Sequence, residues 1–216
     1  MAIFPGSAIP SAAADYDIDN SLRLDDGDSA FLSRTMSTPT NNKKWTLSTW
    51  FKRGNITQGQ LLSADGNQIF FVGTTRFSFA GGASGTTERM KTTQLFRDPS
   101  AWYHIVFSMD TTQAAFADQM KLYVNGTQVT AFDTSTAIPQ NDNTQINSAI
   151  KHTVGCYSYE SEFFDGYLAE YYFIDGSVLD ADDFGELSST TNQWKPIDAS
   201  GLTFGTNGFY QKYGST

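Results

Sequence analysis

The sequence predicts an all-β chain folded as a sandwich of two antiparallel sheets. Three observations carry that expectation. The chain is rich in rings, with 17 Phe, 10 Tyr and 4 Trp among 216 residues, and aromatic side chains suit a pleated, half-buried surface. Its apolar stretches are short and are divided by Gly, Asn, Asp, Ser and Pro, the residues that make tight turns. No stretch sustains apolar residues at helical spacing.

Residues 1–15 read as an extended N-terminal arm, because Pro5 and Pro10 disfavour helix at their own and the preceding positions. Ile3, Phe4 and Ile9 are its apolar anchors for docking on a neighbouring subunit. A frayed terminus would read the same way. The main domain is expected over residues 16–187. Strands are expected at 21–24, 30–35, 45–53, 61–63, 68–73, 76–80, 90–96 and 102–109. More are expected at 120–124, 127–132, 151–157 and 163–174. Asn125-Gly126 between two of them predicts a type I′ hairpin turn, since both positions there need positive φ. Residues 81–87 and the Asn-rich 137–149 read as loops. Residues 180–187 hold the one plausible helical turn, too short to stand alone. Residues 188–216 form an aromatic, Gly-rich segment that either packs on the sandwich or leads to a further module.

The formal net charge is −9 and the pI about 4.5, which argues against nucleic-acid binding through a basic face. No apolar run reaches the roughly 18 residues that membrane insertion by a helix requires. Cys156 is the single cysteine, so no intramolecular disulfide can form. The first fifteen residues lack the basic region and apolar run of a signal peptide, so the chain is expected to fold in a cytoplasm.

Three groups of motifs occur in order. They are Ser21-Leu-Arg-Leu-Asp-Asp-Gly27 with Thr46-Leu-Ser-Thr-Trp-Phe51; then Trp102-Tyr-His-Ile-Val-Phe107 with Leu122-Tyr-Val-Asn-Gly126; then Phe164-Asp-Gly-Tyr-Leu-Ala-Glu170 running on to Gly176. The succession resembles the laminin-G/pentraxin branch of the concanavalin A-like lectin and glucanase superfamily, over roughly residues 20–187. In that family such motifs mark consecutive strands of a jelly roll. The resemblance therefore implies a jelly-roll β-sandwich.

A narrower resemblance rests on Arg97-Asp-Pro-Ser-Ala-Trp-Tyr-His104, Phe173-Ile-Asp-Gly176 with Asp183-Phe-Gly-Glu186, and Gly205-Thr-Asn-Gly-Phe-Tyr210. Ala13-Ala-Asp-Tyr-Asp17 belongs with them. These are similar to structural proteins of marine bacteriophages. That resemblance implies a non-enzymatic virion surface protein, either a tail fibre or appendage or a capsid decoration protein. It implies a homo-oligomer assembled with other virion proteins in the host cytoplasm, and leaves contact with host surface glycans open. The alternative is a secreted bacterial carbohydrate-binding module or adhesin. A glucanase is the third reading, and its carboxylates would come from Glu162, Asp165 or Glu170. Their spacing departs from the family's E-x-D-x-x-E pattern, so no catalytic residues are assigned.

Among other chemistry, His104 and His152 lack the neighbours of a zinc site. His104 reads as a packed residue holding a hydrogen bond, and Cys156 as inert. Glu170, lying among aromatics, needs partners if buried, which an Arg or a backbone turn could supply. Asp25, Asp26 and Asp28 offer hard oxygens in one turn, so calcium is the one cofactor left open, against a plain structural turn. For glycan binding the candidates are Tyr157, Tyr159, Glu160 and Phe163, rings set beside polar side chains. A ring-rich corner packed into the sandwich is the competing explanation.

Overall fold

A computed structural model describes residues 16–72, 75–83 and 85–214. The expected arm, with Ile3, Phe4 and Ile9, lies outside the described residues. The strands are β1 (Leu22–Leu24), β2 (Leu32–Thr35), β3 (Lys44–Arg53), β4 (Gly59–Ala64), β5 (Asn67–Val72), β6 (Arg76–Ala80), β7 (Glu88–Leu95) and β8 (Tyr103–Asp110). A four-residue helix α1 (Phe116–Gln119) precedes β9 (Met120–Val124), β10 (Thr127–Gln128), β11 (Phe132–Ser135), β12 (Lys151–Val154) and β13 (Gly166–Asp175). A 3₁₀ turn (Ala181–Asp183), β14 (Gly185–Leu187), β15 (Trp194–Pro196) and β16 (Phe209–Gln211) complete the chain.

These strands form a jelly-roll sandwich. The first sheet has the order β1-β13-β3-β8-β9-β10, with β16 also paired to β13. The second has the order β11-β7-β6-β5-β4-β12-β2, and all pairings are antiparallel. Period-two alternation decides which side chains meet between the sheets. Trp45, Leu47 and Phe51 of β3 and Ile105, Phe107 and Met109 of β8 face Phe71, Phe77 and Phe79 across the core. Their rings meet edge-on or tilted at 5–6 Å, as in Trp45–Phe107 (5.5 Å) and Phe51–Phe71 (5.1 Å). Arg53 is buried at one end of this core, its guanidinium 4.5 Å from the Phe71 centroid and donating to the Phe96 carbonyl. Burial lowers its pKa to about 10.

Three expectations change, the first in that α1 (Phe116–Gln119) is a helical turn outside 180–187. The strand predicted over 127–132 divides: β10 continues the hairpin with β9, while β11 pairs with β7 in the other sheet. The chain crosses between sheets there, so one predicted strand is shared between two sheets. The helical turn predicted over 180–187 closes after three residues, with Asp180 and Asp183 in a reciprocal capping box. The Asn125-Gly126 turn has positive φ at both residues, 47° and 79°, as type I′ requires.

The C-terminal segment packs on the outer face of the first sheet. Ala199, Leu202, Phe204 and Trp194 cover Val106, Tyr172, Ile174 and Phe184, which makes a second small core. Asp175 and Asn207 fasten it. The buried Asp175 carboxylate accepts from Asn147 Nδ2 (2.7 Å) and from the N–H groups of Thr40, Asn41 and Asn207. Burial opposes its charge, but those hydrogen bonds outweigh burial and hold its pKa below the usual carboxylate range. No helix among the described residues is long and apolar enough to cross a membrane.

Candidate functional site

Where the C-terminal segment ends its cover, it leaves a cleft of about 450 Å³ on the first sheet, within the size range of small-molecule sites. Three of the four tryptophans line it, Trp50, Trp102 and Trp194, while Trp45 belongs to the core. Residues 16–21 form one wall, Trp194, Lys195 and Pro196 another, and Ala169 part of the floor.

The geometry follows from the strands. Outward positions of β3 read Thr46, Ser48, Trp50, Lys52, so Trp50 is a lone ring on an otherwise polar side. Across the sheet it pairs with Ala169 on β13 and His104 on β8. Ala169 is small, which leaves space beside the indole. His104 stacks on Trp50 at 4.9 Å and on Trp194 at 6.0 Å, both nearly parallel. Trp194 Nε1 donates to His104 Nδ1 at 2.9 Å. An indole N–H can only donate, so Nδ1 accepts and the ring proton resides on Nε2, where it donates to Ser48 Oγ at 2.9 Å. Burial pushes the His104 pKa down to about 3, so the imidazole is neutral. Two glycines admit Trp194: a Cβ at Gly126 or Gly185 would lie 2.3 or 2.6 Å from the indole. Trp102 is 38% exposed at the mouth and tilts toward Tyr167 at 6.3 Å.

His104 thus holds a hydrogen bond, as expected, but it lies under Trp194 on the outer face. Glu170 is 2% exposed. Its partners are neither Arg nor a backbone turn but the hydroxyls of Tyr16 (2.9 Å), Tyr172 (2.7 Å) and Tyr210 (2.7 Å). Two of these come from residues 154 and 40 positions away, which explains why local sequence did not disclose them.

The sequence-derived glycan candidates occupy a different place, beside β4 and β5. Tyr157 and Tyr159 meet edge-to-face at 5.1 Å, and Tyr159 is 67% exposed, its hydroxyl 3.2 Å from Asp65. Glu160 is turned to Lys151 (2.7 Å), and Phe163 packs against Phe31 (6.2 Å). Of the carboxylates weighed for catalysis, Glu162 accepts from Gln60, Asp165 from Arg23 and Asn55, and Glu170 from the tyrosines. Cys156 is buried, which pushes its thiol pKa up.

In the turn Asp25–Asp28 the carboxylates have separate surroundings. Asp25 pairs with Arg23 (3.1 Å) and caps the Gly27 N–H (2.9 Å), Asp26 accepts from Asn55 (3.1 Å), and Asp28 faces solvent. Among the described residues no three metal-ligating His, Cys, Asp or Glu side chains converge.

Two facing antiparallel sheets in this strand order define a jelly-roll sandwich. A family model for laminin-G-type domains, Laminin_G_3, described as the concanavalin A-like lectin/glucanases superfamily, matches residues 25–183, and the chain belongs to that family. Among curated protein sequences none matches. Among solved structures the chain is similar to a Bacteroides ovatus protein described as a candidate carbohydrate-binding protein. Identity there is 14% and the TM-score 0.57, covering 84% of this chain and 49% of that one. A heptameric SAP-like pentraxin from Limulus polyphemus matches at 14% identity and a TM-score of 0.46, covering 69% of this chain and 70% of the other. The chain spans about half the length of the Bacteroides protein.

Proposed function

We propose that this chain is a non-enzymatic glycan-binding module carried on a bacteriophage virion, and that the tryptophan cleft holds the sugar. The observation that carries the reading is the placement of three of the four tryptophans around one solvent-facing cleft. Trp194 and Trp50 pack on His104, and each also turns part of its surface to the cleft, where Trp102 is 38% exposed. Flat indoles suit the apolar faces of a sugar ring, and Asp17, Asp19, Asn20 and Ser21 on the facing wall suit its hydroxyls. The description of the Bacteroides relative agrees with glycan binding. The virion role is supported by the motif resemblance to phage structural proteins.

A second reading puts the sugar on the Tyr157–Tyr159 pair, favoured by the exposure of Tyr159. A glycan array followed by affinity measurement on Trp102→Ala and Tyr159→Ala separates the two. Loss of at least about tenfold on Trp102→Ala alone, the scale of one stacking contact, supports the cleft. The same loss on Tyr159→Ala alone moves the site to the rim. The virion role is tested by gold-labelled antibody on purified phage particles. Absence of label on particles, with the protein free in culture medium, would favour the secreted bacterial module instead.

A further inference from the structure

Residues 16–21 form the wall of the cleft opposite the tryptophans. That wall is tied at both ends. At its C-terminal end it runs into β1, which pairs with β13 from Leu22 to Leu24. At its other end stands Tyr16, whose hydroxyl donates to Glu170 Oε2 at 2.9 Å and lies 3.1 Å from the Tyr210 hydroxyl. Lys212 Nζ sits 5.8 Å over the Tyr16 ring. Between these ends Asp17 and Asp19 face solvent, while Ile18 and Asn20 are half-buried.

The anchor is held from several sides. Glu170 lies in the left-handed region at φ 47°, where a bulge interrupts pairing between Ala169 and Tyr172. There β13 passes from β1 to β16 along its edge. Such a conformation persists only where the surroundings enforce it. Tyr172 and Tyr210 stack in parallel at 4.2 Å, and each donates to the carboxylate at 2.7–2.8 Å. The carboxylate therefore keeps two phenol donors even when Tyr16 leaves. A buried charge that loses its only partner resists opening, and this one does not lose its only partner. The Tyr16 bond can break without stranding Glu170.

Given that the cleft binds glycan, we propose that Tyr16 is a latch: its bond to Glu170 holds residues 16–21 as a wall that swings away to admit a sugar and closes over it. Tyr16 is a positioning residue, acting on the ligand through the wall. The latch governs entry and release alike, because a sugar passes to and from the tryptophans while the wall is open.

The test uses the full chain and Tyr16→Phe, which removes one hydroxyl and keeps the ring. Hydrogen exchange at the amides of residues 17–21 should quicken by about tenfold, as expected for loss of one hydrogen bond to a charged group. Exchange in β3 and β8 should stay unchanged. With the best glycan from the array, the dissociation rate should rise about tenfold and the association rate should rise with it, because both pass through the open wall. A merely structural role for Tyr16 would instead speed exchange throughout the sandwich. Unchanged exchange at residues 17–21 overturns the latch, and so does an unchanged dissociation rate where Trp102→Ala abolishes binding. Should no array glycan bind the unaltered chain, the reading of the cleft fails, and the exchange result alone upholds or overturns the latch.

Discussion

The two outer faces of the sandwich differ in what their strands present. The first sheet turns Val106, Tyr172 and Ile174 outward, and the C-terminal segment covers them. The second turns out Gln60, Ser63, Gln68 and Ser78 around a single ring, Phe70, and the loop through Tyr157 and Glu162 lies on part of it through Ser63 and Gln60. An apolar outer face needs a cover, and a cover that stops short leaves a cleft. Polar side chains of that face bond to their neighbours, as Gln60 Nε2 does to Gln68 at 2.9 Å and Ser78 to the Met90 carbonyl at 2.7 Å. The tryptophan cleft is therefore a product of what the chain adds to the jelly roll.

The harshest way to break that comparison is to remove residues 188–216. The deletion uncovers Val106, Tyr172, Ile174 and Phe184, each contributing about 1.5–3 kcal/mol when buried, against a total stability of about 5–15 kcal/mol. We expect no cooperative thermal transition near that of the whole chain. A melting temperature within a few degrees of it would show that the cover is dispensable.

Next in size is His104→Phe, which keeps a stacking ring but strands the Trp194 indole N–H and the Ser48 hydroxyl. The expected cost in urea denaturation is about 2–4 kcal/mol, from two buried groups left unpaired. Gly126→Ala should cost about 2 kcal/mol or more, since the added methyl meets the Trp194 ring and φ is 79°. Gly85→Ala, at φ 81° with nothing within 4 Å, should cost only the backbone share, about 1 kcal/mol. Equal effects at the two glycines would deny the tight seating of Trp194.

The effect of pH is graded. Burial lowers the pKa of His104 to about 3 and of His152 to about 4. The unfolded chain takes up both protons near pH 6.5 while the folded chain declines them. Stability is thus full above pH 6.5 and falls as pH drops toward 4, by about 1 kcal/mol per unit for each histidine. Urea midpoints at pH 7, 6 and 5 should fall in step, and His104→Phe should flatten the decline. A midpoint constant over that range would contradict the burial of both rings.

Much of the sandwich was legible from local pattern. The strands at 45–53, 102–109 and 120–124 appear within one residue of β3, β8 and β9, because alternation and turn residues are local signals. The division of 127–132 was not legible, since which sheet a residue joins depends on partners far along the chain. In the site, Tyr157 and Tyr159 do come together, two residues apart on one turn. Trp50 carried a readable sign, a single ring on the polar side of its strand. Trp194 carried none, because its position depends on Gly126 and Gly185 and on His104, 90 residues away.

The central claim is most directly tested by following the four indole N–H resonances during titration with the best array glycan. The account predicts that Trp50, Trp102 and Trp194 shift while Trp45, bonded to Thr144 in the core, stays in place. Four unmoved indoles, with shifts confined to Asp65 and residues 157–160, would contradict it.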